Sequence, residues 1–156
     1  MRPPERSDGA DMWRLAARTV DINSPYSYLM LGEYFAENCA VAERNGDLVG
    51  FVTGFRPFED PETLFIWQIA VDESARGLGV ASRLLDDVAG RPRVPRLRYL
   101  EATVTPGNAA SKKLFRAFAE RWKAECQEEV LFDRSDFPRD ADEGHEPEIR
   151  FRIGAF

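Results

Sequence analysis

Apolar residues along this chain change their spacing several times, and each change marks an element. Met12, Leu15, Ala16 and Thr19 share one face at helical spacing, with Asp8 as an N-cap candidate and Asp11 in the first turn, which predicts a first helix flanked by Trp13. Ser24 followed by Pro25 reads as an N-cap and a first-turn proline, opening a second helix through Tyr28, Leu31 and Phe35. The two are joined by the short polar link 21–23. Segments 39–43 and 48–55 flank Asn45-Gly46, residues that tolerate the positive φ a tight hairpin turn requires, so they are read as hairpin arms. Gly50 and Gly54 in the second arm signal close packing or a bend. A loop over 56–63, with two prolines and three acidic side chains, leads to a strand over 64–71 carrying Leu64, Phe65, Ile66, Trp67, Ile69 and Val71.

Directly after that strand comes Arg76-Gly77-Leu78-Gly79-Val80-Ala81, and directly after it a helix with Val80, Ala81, Leu84, Leu85 and Val88 on one face. A glycine-rich turn opening a helix presents unpaired backbone N–H groups at the positive end of the helix dipole, where phosphate oxygens can accept them. The run lacks the Gly-Lys-Ser/Thr ending of a P-loop and the third glycine of a dinucleotide fingerprint. A pyrophosphate cradle and a purely structural turn remain the two readings of the motif alone. Segment 90–95, with Gly90 and two prolines, closes this helix. A strand over 99–104 follows, then a turn over 105–108 into a helix whose apolar face is Leu114, Phe115, Phe118 and Trp122. Two last strands are expected over 130–132 and 149–153, around an acidic loop over 133–148 that is either a lid on an active site or a solvated excursion.

Composition narrows the function classes. At 156 residues the chain suits one domain, 1–156, with a real core. No apolar run approaches the roughly 18 residues that span a bilayer, and the first residues show no apolar leader, so a soluble cytoplasmic protein is expected. Cys39 and Cys126 lack a Cys-x-x-Cys neighbour and His145 is the sole histidine, which argues against a zinc site and for no metal. A net charge of -6 opposes nucleic acid and anionic lipid as partners and favours a cationic substrate.

The order helix, helix, hairpin, strand, glycine turn, helix, strand, Asn-led helix resembles the GCN5-related N-acetyltransferase family. That family's Arg/Gln-x-x-Gly-x-Gly/Ala motif is matched by Arg76, Gly79 and Ala81, and its second signature by the run Asn108 to Phe115. The segments 21–28, 50–57, 65–71 and 99–106, and the terminal Phe151-Arg152-Ile153-Gly154, are similar to the diaminobutyrate acetyltransferase branch of the family. The resemblance implies an α/β (α+β) fold: a mixed, mostly antiparallel sheet flanked by helices, with a splayed central strand pair. It also implies acetyl-CoA as co-substrate, transfer of acetyl to the 4-amino group of L-2,4-diaminobutyrate as a step toward the osmolyte ectoine, and a homodimer. Another small amine such as a polyamine or lysine, or a catalytically silent acyl-CoA sensor, are the alternatives.

On that resemblance, Arg76, Gly77, Leu78, Gly79, Val80 and Ala81 would hold the pyrophosphate, and Asn108 and Ser111 would lie along the pantetheine arm. The strand backbone at Ile69 and Val71 would face the coenzyme, an Ile69 N–H polarising the thioester carbonyl. An amine attacks only with a free lone pair, while an alkyl ammonium has a pKa of about 10, so a proton must leave first. Asp21 is the first choice to meet the ammonium, with a turn or capping role as its alternative. Trp67 would line the amine pocket through cation–π contact, and Tyr26 and Tyr28 would orient the substrate. Glu101 and His145 are candidate bases, each with an ordinary surface role as the alternative. Phe115 stands where many relatives carry a tyrosine acid, so another donor such as Tyr28, or none, would serve the departing thiolate.

Overall fold

The left-handed backbone that the Asn45-Gly46 turn requires is present, with φ of 55° and 89°, and it joins strand β1 (Ala40–Arg44) to β2 (Asp47–Phe55). The computed structural model describes residues 1–138 and 145–156. Its remaining elements are α1 (Gly9–Thr19), α2 (Pro25–Tyr34), β3 (Thr63–Val71), α3 (Val80–Gly90), β4 (Tyr99–Val104), α4 (Ala109–Trp122), β5 (Glu125–Phe132) and β6 (Glu148–Gly154). The strands form one sheet in the order β1-β2-β3-β4-β6-β5. Every neighbouring pair is antiparallel except β3 and β4.

Each face of the sheet buries its own cluster. Val80, Leu84, Leu85 and Val88 of α3 and Phe115, Phe118 and Ala119 of α4 pack on Leu64, Ile66, Leu100, Ala102, Phe151 and Ile153. On the other face Met12, Leu15 and Ala16 of α1 and Tyr28 of α2 pack on Val41, Phe51 and Ala70. The helical periodicities read from the sequence are therefore two different docking faces.

One irregularity shapes the centre of the molecule. Thr53 of β2 pairs with Gln68, but the next residue, Gly54, pairs with Ile66, so Trp67 is an extra residue in β3. Such a bulge reverses the alternation of side chains along a strand. Leu64 and Ile66 face α3 and α4 before it, and Ile69 and Val71 face that side after it. Parallel pairing with β4 stops at Ile66 and Ala102, so the later residues of β3 splay away from β4.

Three local expectations need correction. Asp8 precedes α1 but does not cap it: its backbone is already helical, and its carboxylate takes both guanidinium nitrogens of Arg2 at 2.7 and 2.9 Å and the Glu5 N–H at 2.7 Å. Gly90 does not close α3 through a left-handed cap, because it is the last helical residue. Beyond it the backbone turns extended at Arg91, Pro92 comes next, and the Arg91 guanidinium donates to the carbonyls of Ala36, Glu37 and Cys39. Strand β5 begins at Glu125, well before 130, as an edge strand whose polar first half gives no apolar signal. Of the acidic loop, 139–144 lie outside the described residues.

Candidate active site

The splay between β3 and β4 opens a cavity of about 360 Å³ lined by residues 20–23 of the first interhelical link, 66–69 of β3, 102–105 at the end of β4, Asn108, Ser111 and Phe115 of α4, and Glu148 of β6. A second cavity of about 360 Å³ lies at the head of α3, lined by Val71, Ala75, Arg76, Gly77 and 79–82. The segment from Ile69 to Val71 runs from one to the other. The Asp72 N–H bonds the Val49 carbonyl on the β2 side. Main-chain groups of successive strand residues point to opposite sides, so the Ile69 and Val71 N–H and C=O groups point away from β2 into the gap. The two cavities are thus joined by a strip of backbone donors and acceptors.

The head of α3 is built for close approach. Gly77 and Gly79 have φ of 75° and 72°, and a Cβ at either would meet nothing within 4 Å. These glycines are required by backbone conformation and leave open space on their outer side. The first helix bond runs from the Arg83 N–H to the Gly79 carbonyl at 3.1 Å, so the N–H groups of Val80, Ala81 and Ser82 have no intrahelical partner. Asp72 anchors the preceding turn by accepting from the Ser74 N–H at 3.0 Å and its hydroxyl at 2.7 Å, contacts that hold its carboxyl below the usual range. Arg76 lines this cavity, whereas the Leu78 side chain is half exposed and turns to a neighbouring groove.

The residues singled out in the sequence separate into three groups. Asp21, Trp67, Ile69, Asn108 and Ser111 come together around the first cavity. Trp67 is 46% exposed there, an unusual setting for a tryptophan and one imposed by the bulge. Asn108 caps α4, its Oδ1 accepting the Ser111 N–H at 3.0 Å, so its wall position follows from the helix start. Phe115 is buried, with its ring 6.0 Å from Phe151. Tyr28 is buried with its ring edge-on to Phe51, and only its hydroxyl approaches the site, donating to Gln68 Oε1 at 2.9 Å.

A third group lies off the cavity wall. Glu101 is almost fully buried and bonded to the Arg152 guanidinium, with Arg150 at 3.8 Å. Tyr26 is exposed. His145 stacks on Phe137 with ring centroids 4.0 Å apart and reaches the cavity only through Glu148, its Nε2 lying 3.9 Å from Oε1. Gln68 and Glu148 line the cavity without having been singled out. Gln68 is one polar position in an apolar strand, a weak signal, and Glu148 is one of many acids near the C-terminal strand.

Residues 10–119 match the model of the acetyltransferase (GNAT) family. The L-2,4-diaminobutyric acid acetyltransferase of Marinococcus halophilus is 48% identical over 98% of this chain and 88% of its own. That of Streptomyces coelicolor is 45% identical over 97% and 89%. The structure of diaminobutyrate acetyltransferase EctA from Paenibacillus lautus in complex with L-2,4-diaminobutyric acid and coenzyme A superposes with a TM-score of 0.91, at 40% identity over 99% of this chain and 93% of that one. The Escherichia coli ribosomal-protein-S18-alanine N-acetyltransferase, at 18% identity and a TM-score of 0.73 over 98% and 91%, shares the fold. The splayed strand pair, the glycine-opened helix and these similarities together make the chain a member of the GNAT acetyltransferase family.

Proposed function

We propose that this protein transfers the acetyl group of acetyl-CoA to the 4-amino group of L-2,4-diaminobutyrate. The carrying observation is one run of β3 that lines an acidic, tryptophan-bearing cavity at Trp67 and continues at Val71 to a row of unpartnered helix N–H groups. The likeness to a structure holding the diamine and coenzyme A supports the same reading. In this reading the N–H groups of residues 77–82 and Arg76 take the pyrophosphate, and the pantetheine lies in the gap beside Ile69 and Val71 as an added strand would. Asp21, with Glu148 across the cavity, attracts the ammonium, and the Trp67 ring takes one face of it.

Once the amine has lost a proton, its lone pair attacks the thioester carbon, and the Ile69 N–H stabilises the negative oxygen that forms. The C–S bond then breaks, the nitrogen gives up its second proton and the departing thiolate takes one up, giving N-acetyl product and CoA. Bringing the two reactants together supplies much of the rate. The product is the precursor that a separate cyclising enzyme would close to ectoine.

Release of CoA thiol on mixing acetyl-CoA with L-2,4-diaminobutyrate is expected, at a kcat/KM well above that for spermidine or lysine. Comparable rates among the three would overturn the substrate assignment. No thiol release would favour an acyl-CoA sensor, the reading that the apolar Phe115 on the cavity wall suggests. The same proposal extends to a homodimer in the cytoplasm, where the co-substrate is found. Edge strand β5, with Val130 and Phe132 exposed, supports pairing between copies. Light scattering is expected to give twice the chain mass.

A further inference from the structure

The link that carries Asp21 is held at both ends by one hydrogen-bond chain. Gln68 Nε2 donates to the Asp21 carbonyl at 2.6 Å, while Gln68 Oε1 accepts from the Tyr28 hydroxyl at 2.9 Å. The Asn23 N–H in turn donates to that hydroxyl oxygen at 3.4 Å. A carbonyl only accepts and an N–H only donates, so the two ends fix the direction of every bond between them, including the orientation of the Gln68 amide. Apart from these contacts the link has little to hold it: Asp21 and Ile22 are exposed. Tyr28, by contrast, is locked in the core.

The place of Gln68 in β3 gives this staple its meaning. The bulge at Trp67 turns Gln68 toward α1 and α2, the side on which the link lies. Three successive residues then do three things: Trp67 lines the cavity, Gln68 ties down the link, and Ile69 turns its backbone into the gap. We infer that Gln68 is a positioning residue, held by Tyr28, that fixes the Asp21 carboxylate at a set distance from the strand that meets the thioester. This rests on the reading of Asp21 as the partner of the substrate ammonium. Without the staple the same carboxylate would be present on a link free to move.

The test uses Gln68→Leu and the near-isosteric Tyr28→Phe, which keeps the buried ring. Each is expected to raise the KM for diaminobutyrate about fivefold or more, the scale of one lost hydrogen bond, with the KM for acetyl-CoA changed less than twofold. Because both act through one chain, the double variant should match the larger single effect, and Gln68→Leu should add little in an Asp21→Ala background. A rise in amine KM for Asp21→Ala with none for Gln68→Leu or Tyr28→Phe would overturn the staple and leave the role of Asp21 standing. An unmoved amine KM in Asp21→Ala would overturn that role and the staple with it. Equal changes in both KM values for folded Tyr28→Phe would reduce the chain to a general structural one.

Discussion

Gly79 is set by backbone conformation, and the proposed function adds a binding role at the same position. Its φ of 72° costs a side-chain-bearing residue about 1 kcal/mol, yet a Cβ there would meet no protein atom within 4 Å. Gly79→Ala is therefore expected to fold with only that small loss. Gly79→Glu, which also places a carboxylate beside the helix N–H groups, is expected to weaken CoA binding more than a hundredfold by calorimetry; unchanged affinity would remove the cradle from this site. Phe115 is the opposite case, a residue that lines the cavity because it belongs to the core. Truncation to Ala is expected to cost about 3–5 kcal/mol in urea unfolding. The motif glycines were legible in the sequence because positive φ limits the choice of residue. Gln68 was not, because what it bonds lies in a different element, 40 and 47 positions away.

Among the elements, β3 departs furthest from its sequence pattern. Its apolar run reads as an uninterrupted strand, but the extra residue at Trp67 reverses which side chains reach α3 and ends the pairing with β4. Local preference cannot reveal this, since a bulge is defined by the partner strand. The partner supplies Gly54, where a Cβ would lie 2.5 Å from the Phe65 carbonyl oxygen. Gly54→Ala should therefore cost about 1–3 kcal/mol in denaturant midpoints, with the loss traceable to this close approach. Strand β5 was half hidden for a different reason. As an edge strand with its residues largely exposed, it can carry Glu125, Glu128 and Glu129 without penalty, so no alternation betrays it.

At the scale of the whole molecule, the N-terminal segment is tied by charge to edge strand β1 and to the turn before α1. Arg2 pairs with Asp8 at 2.7 Å and Glu43 at 2.6 Å, and its main chain bonds Val41 in both directions. The Arg2 hydrogen bond holds the Asp8 carboxyl below the ordinary range, so the stabilisation is present above the unfolded carboxylate pKa and is lost as pH falls through the depressed folded value. Asp8→Asn should flatten the acid limb of a stability-pH curve, and an unchanged limb would show that the pair contributes nothing. Burial acts at the other extreme, pushing the Cys39 thiol up to about 11. Stability should decline as pH rises from the ordinary thiol value toward 11, and Cys39→Ala should remove that share of the slope. The sequence by itself determined the helices, the hairpin turn and the positive-φ glycines at the head of α3, because period, cap and φ preferences act over a few residues. Only the tertiary structure decided that Trp67 would stand out of its strand, that Glu101 would be consumed by Arg150 and Arg152, and that Gln68 would reach back to Asp21. Each of these depends on pairing register between segments far apart in the chain, which no local pattern encodes.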